Sequence, residues 1–274
     1  MSGSPVKEIL VTGASSGIGM ELARQLAGPG KRLWLVARSE DKLRVLAGEI
    51  QEKGGAAEVL PLDLSDIEGN AAFLAKFLGE VSLDELYLAA AVSIFGEVKD
   101  ILLPEDWDLI YRTDLLSYAQ WVQAAYQSMA ARRRGRIVMV SSLAGYSGYP
   151  TSVPYATMKA GLLGLFRTLR YEAPGHGVSV HLASPGYVRT GIYRSAIYRR
   201  SNFDSTLQQI DEMGFKMIEP AEAAELMLKG IARGKAEIVF PGYARLLAWV
   251  APRFPWLVRS IHNRMVERFR ELSA

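Results

Sequence analysis

Short aliphatic runs alternate along the chain with longer amphipathic stretches. The runs fall at residues 9–11, 33–36, 59–60, 86–88, 137–140, 178–182 and 238–240. Between them, hydrophobic positions recur at helical spacing over 40–53, 67–77, 105–131 and 156–172, with a shorter helix over 20–27 and its approach. Runs without polar interruption mark strands buried on both faces, and strand–helix alternation marks right-handed crossovers in a parallel sheet. The pattern predicts an α/β fold: a doubly wound parallel sheet of about seven strands with helices on both faces. Without repeats or a linker, residues 1–240 read as one doubly wound domain, followed by an extension over 241–274.

Two stretches break the rhythm. Residues 191–215 mix Tyr, Arg, Ser and Asn, and they predict a loop without a strand after the sixth run. Such insertions, at strand carboxyl ends, are where these sheets bind ligands. The final segment interleaves arginines with Leu246, Leu247, Trp249, Phe254, Trp256, Leu257 and Ile261. Pro252 and Pro255 divide it into two helical pieces.

Composition narrows the class. The chain has 274 residues, 49% hydrophobic and 22% charged, so it can bury a core without a covalent staple. Its lack of cysteine excludes disulfides, thiolate metal sites and cysteine nucleophiles, and suits a cytoplasmic location. Net charge is +3, and it is unevenly placed. Arg245, Arg253, Arg259, Arg264, Arg268 and Arg270 face only Glu267 and Glu271 in the tail, a local +4 that leaves −1 for the body. A near-neutral body predicts no nucleic-acid groove. The polar opening MSGSPVKE predicts no signal peptide, and no run approaches the roughly 20 apolar residues of a bilayer span.

Candidate chemistry begins in the first turn, Thr12-Gly13-Ala14-Ser15-Ser16-Gly17-Ile18-Gly19. Glycines let backbone approach a pyrophosphate at the positive end of a helix, and the turn's place after the first strand favours a dinucleotide over a plain tight loop. Arg38 and Ser39 close the second run, where an acidic residue would bind the 2′-hydroxyl of NAD and an arginine accommodates the 2′-phosphate of NADP. NADP(H) is the expected cofactor; the plainer alternative for Arg38 is a solvated surface side chain. Tyr155 and Lys159 are four residues apart and share a helix face. A nearby ammonium favours the phenolate, though lowering a phenol by about 3 pKa units requires roughly 4 kcal/mol. Lysine, Ser142 and a positive nicotinamide would have to supply that jointly. His176, His181 and His262 lack ligand spacing, so no metal is expected. Gly161 and Gly164 read as close-packing positions. Arg132-Arg133-Arg134 reads as the cationic end of a long helix.

Taken together, these residues resemble the short-chain dehydrogenase/reductase family over roughly residues 7–241. The resemblance rests on the glycine turn at 12–19, Asp63-Leu64, Ser142, Tyr155-x-x-x-Lys159, Pro185-Gly186 and Thr190. It implies hydride transfer between NADP(H) and a carbonyl or secondary alcohol, with Tyr155 as proton donor or acceptor and Ser142 holding the substrate oxygen. Lys159 would bind the nicotinamide ribose and acidify Tyr155. Asp63 and Leu64 would flank adenine, while Ala90, Pro185, Gly186, Val188 and Thr190 would line the rest of the cofactor site. Two positions depart from the family pattern. Leu88-Ala89-Ala90-Ala91 stands where the family has Asn-Asn-Ala-Gly, and Asp114 stands for the helix asparagine of the catalytic tetrad. Asp114 could keep that role through its main chain, or pair with Lys159 and weaken its effect on Tyr155. A non-catalytic NADP-binding sensor or scaffold is the competing reading.

Ile94, Phe95, Tyr149, Tyr187, Ile192, Tyr193 and Ile197 suggest a hydrophobic substrate. The resemblance also implies a homodimer or homotetramer built on the helices at 105–131 and 156–172. For the tail, one reading is a helix pair over the substrate loop or a subunit boundary. The other is peripheral membrane contact, with apolar side chains in the headgroup zone and arginines on anionic lipid.

Overall fold

The computed structural model describes residues 6–101 and 103–273. Seven parallel strands form one sheet: β1 (Lys7–Thr12), β2 (Lys31–Ala37), β3 (Ala56–Pro61), β4 (Glu85–Leu88), β6 (Gly135–Val140), β7 (Val178–Pro185) and β9 (Glu237–Phe240), in the order β3-β2-β1-β4-β6-β7-β9. The predicted doubly wound fold is the observed one. Every aliphatic run identified in the sequence lies in one of these strands. β1 and β4 lie side by side, with Thr12 opposite Leu88. Chain order reverses between them, which opens a crevice beyond their carboxyl ends.

Alternating strand residues feed two cores. Ile9, Val11, Leu33, Leu35 and Val138 pack with Leu22, Leu43, Ile50 and Met227 from α1 (Gly17–Leu26), α2 (Glu40–Glu52) and α9 (Pro220–Ala232). On the other face, Leu10, Leu86, Leu88, Ile137 and Met139 meet Phe77, Trp121, Leu162 and Phe166. These come from α3 (Ile67–Glu80), α5 (Ser117–Ala131) and α7 (Val153–Glu172). Continuous apolar runs are required because both strand faces are covered.

The structure corrects two sequence expectations. The helix expected over 105–131 is α4 (Pro104–Tyr111) and α5 joined by a π-turn over Arg112–Leu116. One additional residue per turn re-aims Asp114 inward, a local geometry that periodicity does not show. Gly161 leaves room for the bulge: a Cβ there would lie 2.9 Å from Leu115 Cδ2, whereas one at Gly164 meets nothing within the chain. Second, the 191–215 stretch contains both a strand, β8 (Ile197–Tyr198), and a helix, α8 (Phe203–Glu212). β8 pairs in parallel with β5 (Ile94–Phe95) to form a separate two-stranded sheet. Arg199 clamps it with two hydrogen bonds to buried Asp106, at 2.9 and 2.8 Å. The 132–134 arginines stand at the end of α5, as expected; Arg132 also bonds the Leu83 carbonyl and Arg134 pairs with Asp84.

The tail forms α10 (Gly242–Val250) and α11 (Pro255–Leu272), divided at the prolines as expected. Gln209 of α8 donates to the Met265 carbonyl at 2.6 Å, holding α11 on the body. Among the described residues, no helix is long and apolar enough to cross a membrane.

Trp121 is 1% exposed and packs beside Phe73, ring centroids 5.9 Å apart. Trp121→Ala should lower unfolding free energy by about 3–5 kcal/mol, read from the denaturant midpoint at constant slope.

Candidate active site

A long groove crosses the carboxyl edge of the sheet. Gly13, Ser15, Ser16, Gly17 and Ile18 line one end, with Arg38, Ser39, Asp63 and Leu64 beside them. Ala90, Pro185, Gly186, Val188 and Thr190 continue it toward Ser142, Tyr155 and Lys159. Gly19 does not line the groove. It packs against the Gly13 carbonyl, where a side chain would collide. Gly13 adopts φ +67°, and a Cβ there would lie 2.7 Å from Ala90 N; Gly17 adopts φ +55°, close to the Thr190 methyl. Both positions require glycine for backbone conformation and for space. Ser16 makes no side-chain cap bond, and the first turn of α1 has no acidic residue, so its amides are free to meet an anion. The cradle and its open amides fit a dinucleotide. Arg38 is exposed at its rim, 4.0 Å from Asp63.

Behind the groove lies a fully buried ion pair. Lys159 Nζ stands 2.9 Å from Asp114 Oδ2, with the two side chains 1% and 0% exposed. Asp114 Oδ1 accepts the Val92 amide at 2.8 Å. The carboxylate thus joins the π-turn, α7 and the segment after β4. It does not line the groove, so its contribution acts through Lys159.

Two hydroxyls from neighbouring elements bond the backbone of the segment after β4. Thr12 Oγ1 accepts the Ala89 and Ala90 amides at 3.1 and 3.3 Å. The buried Tyr118 hydroxyl spans the Leu88 and Ala90 carbonyls at 3.0 and 2.8 Å. Neither Thr12 nor Tyr118 was anticipated from sequence. Thr12 ends the first strand beside the glycine turn, the one signal that could have singled it out.

Lys159 Nζ also lies 5.4 Å from the ring centres of Tyr118 and Tyr155. Its own pKa is lowered by burial and raised more strongly by Asp114 and the two phenols, so it remains an ammonium. Burial raises the Asp114 carboxyl, against the pull of Lys159. Lys159 pulls the Tyr155 phenol down, in the expected direction, but the net displacement is upward. Burial raises the phenol; Lys159 opposes that, Asp114 adds to it, and Ser142 favours the phenolate.

A second, apolar cavity meets the groove at Ser142 and Tyr155. Phe95, Tyr149, Tyr187, Ile192 and Tyr193 line it, as expected from sequence. Ile94 and Ile197 instead pack beneath it with Ile101, Ile110 and Met158. The additional walls are Phe215 and the tail: Tyr243, Leu247, Val258, Ile261, His262 and Met265. Tyr243 accepts the Tyr187 amide at 2.7 Å and fills the space over Gly186. The tail therefore forms part of the pocket. His181 and His176 lie elsewhere, bonded to the Lys235 carbonyl and edge-on to Tyr126. Among the described residues, no group of three or more His, Asp or Glu is placed to hold a metal.

This constellation on a doubly wound sheet defines a dinucleotide-dependent oxidoreductase. The short chain dehydrogenase family profile matches residues 7–200, and the chain belongs to that family. An Arabidopsis thaliana protein described as 11-beta-hydroxysteroid dehydrogenase-like 4A is 30% identical over 270 residues, covering 94% of this chain and 84% of its own. A short-chain dehydrogenase from Sphingobium yanoikuyae, solved in complex with NADPH, superposes at TM-score 0.78 with 26% identity, covering 92% of this chain and 96% of its own. One from Burkholderia phymatum, solved with NAD, reaches TM-score 0.80 at 21% identity, over 94% of this chain and 97% of its own, and bears on the fold alone.

Asp114→Ala leaves the Lys159 ammonium buried without its counter-ion. Stability should fall by about 3–5 kcal/mol in denaturant unfolding at neutral pH.

Proposed function

We propose that this protein is an NADPH-dependent reductase of an apolar carbonyl compound, able to oxidise the corresponding secondary alcohol. The observation that carries this reading is the position of Ser142 and Tyr155 where the nucleotide groove and the apolar pocket meet. Arg38 supports NADP over NAD, as a guanidinium at the end of β2 suits a 2′-phosphate. The bound NADPH of the Sphingobium relative supports the same choice. Aromatic walls at Phe95, Tyr149, Tyr187 and Tyr193 support an apolar substrate, as does the hydroxysteroid description of the plant relative.

When bound, the nicotinamide supplies the hydride that reduces the carbonyl carbon. Ser142 donates a hydrogen bond to the carbonyl oxygen and fixes its direction. Tyr155 passes its phenolic proton to the same oxygen as negative charge develops there. Lys159, anchored by Asp114, stabilises the phenolate that remains. Gly13 and Gly17 admit the pyrophosphate, Asp63 and Leu64 flank the adenine end, and Val188 and Thr190 bound the nicotinamide end. Homodimeric or homotetrameric assembly and a cytoplasmic location belong to the same proposal.

The second reading, a non-catalytic NADP-binding sensor or scaffold, is motivated by Asp114 and Ala89-Ala90. Isotope exchange between labelled NADPH and a panel of ketones separates the two, because a pure binder transfers label to none of them.

Tyr155→Phe should reduce turnover by about 10²–10⁴-fold and leave NADPH affinity largely intact in fluorescence titration. Arg38→Ala should weaken NADPH more than NADH, and equal losses for both would remove the 2′-phosphate assignment. Asp114→Asn removes a group that raises the Tyr155 pKa while Lys159 still lowers it. Ketone reduction requires the protonated phenol and declines as pH rises through that pKa. In the Asn variant this alkaline limb should move to lower pH, and a limb that stays in place would contradict the coupling.

A further inference from the structure

The two C-terminal helices have opposed apolar faces. Val258, Ile261, His262 and Met265 of α11 face the pocket, at the spacing of one helical face. Leu246, Trp249, Trp256 and Leu257 point the other way and are 62%, 54%, 64% and 58% exposed. Trp249, Phe254 and Trp256 run together, with ring centroids 5.9 and 5.4 Å apart. The exposed groups therefore concentrate around the turn between α10 and α11. A contiguous exposed apolar patch marks an interaction surface.

Charge selects the partner. Residues 242–264 contain Arg245, Arg253, Arg259 and Arg264 and no Asp or Glu. All four are exposed. Arg253 lies over the Trp249 ring, 5.2 Å from its centre. Beyond residue 264 the pattern changes: Arg268 pairs with Glu212 and Arg270 with Glu97, which ties the end of α11 to the body. The arginines that hold the helix are thus distinct from those around the exposed tryptophans. A second copy of this surface would bring like charges together. An anionic bilayer meets every feature at once: tryptophans in the headgroup zone, leucines at the acyl boundary and guanidinium groups on lipid phosphates.

We propose that α10 and α11 dock this protein on an anionic phospholipid surface, and that substrate dissolved in that surface reaches Tyr155 beneath the same helices. The docking stands on the exposed face alone. The delivery route also rests on the proposed carbonyl pocket.

The test uses the full chain with NADPH and vesicles of phosphatidylcholine, alone or mixed equally with phosphatidylglycerol. Co-sedimentation should be at least tenfold stronger on the mixed vesicles and fall as salt rises. Trp249→Ser/Trp256→Ser and Arg245→Glu/Arg259→Glu should each lose that binding, with the melting temperature and turnover of a water-miscible ketone unchanged. Mixed vesicles should lower KM severalfold for a long-chain ketone carried in the bilayer and leave KM unaltered for the water-miscible one. Equal pelleting on both vesicle types, or full binding by the double serine variant, overturns the docking. So does a concentration-dependent dimer that the serine variant loses, found without vesicle binding. Docking with no change in KM overturns the delivery route. No turnover of any ketone overturns the enzymatic reading and with it the route, while pelleting still decides the docking.

Discussion

The buried pair of Lys159 and Asp114 is the constraint on which the rest of the site depends. Removing an ammonium and a carboxylate from water costs several kcal/mol for each ion, and their attraction offsets this only when the geometry is close and the remaining polar atoms are bonded. Here the distance is 2.9 Å, and the second carboxylate oxygen takes the Val92 amide. Three elements must converge for this to happen: the π-turn that carries Asp114, the helix that carries Lys159 and Tyr155, and the segment beyond β4. The pair also sets the charge that Tyr155 experiences. An isolated lysine would draw the phenol toward its anion; a lysine with its own counter-ion does so less, because Asp114 raises the phenol that Lys159 lowers.

The carboxyl edge of the sheet separates polar work from apolar work. On the side of β1 to β3, glycines and open helix amides form a cradle suited to phosphate. On the side of β5 and β8, aromatic rings pack in sequence from Phe95 through Tyr149 and Tyr187 to Phe215 and Tyr243. Ser142 and Tyr155 stand at the seam. In the proposed reaction hydride and proton arrive at adjacent atoms from different groups, and a seam between a phosphate-suited groove and an apolar pocket suits that arrangement.

The backbone at 88–90 is held by side chains from other elements. A strand end beside a close-packed glycine turn still needs its backbone amides and carbonyls satisfied, since unpaired buried groups are costly. Thr12 and Tyr118 meet that need with two hydroxyls from neighbouring elements. The backbone stays where the groove requires it, although asparagine side chains are absent.

The fold was legible along the chain because its signals are local. A strand covered on both faces must be apolar throughout, so all seven main strands were visible as uninterrupted runs. Glycine at 13 and 17 reflects backbone angles that few other residues adopt, and a spacing of four places Tyr155 over Lys159 on any α-helix. The remaining features depend on distant partners. β8 has two residues, and its strand character comes from Ile94 and Phe95, a hundred positions earlier in the chain. The π-turn looks helical in sequence because one additional residue disturbs periodicity too little to notice. Amphipathic spacing in the tail identified helices but not which face meets the pocket, since the pattern is the same whether a helix covers protein or lipid. The proton affinity of Tyr155 was likewise beyond the sequence. It depends on desolvation, on Lys159 and Ser142, and on a carboxylate forty-one positions away, and only the packed tertiary structure brings those together.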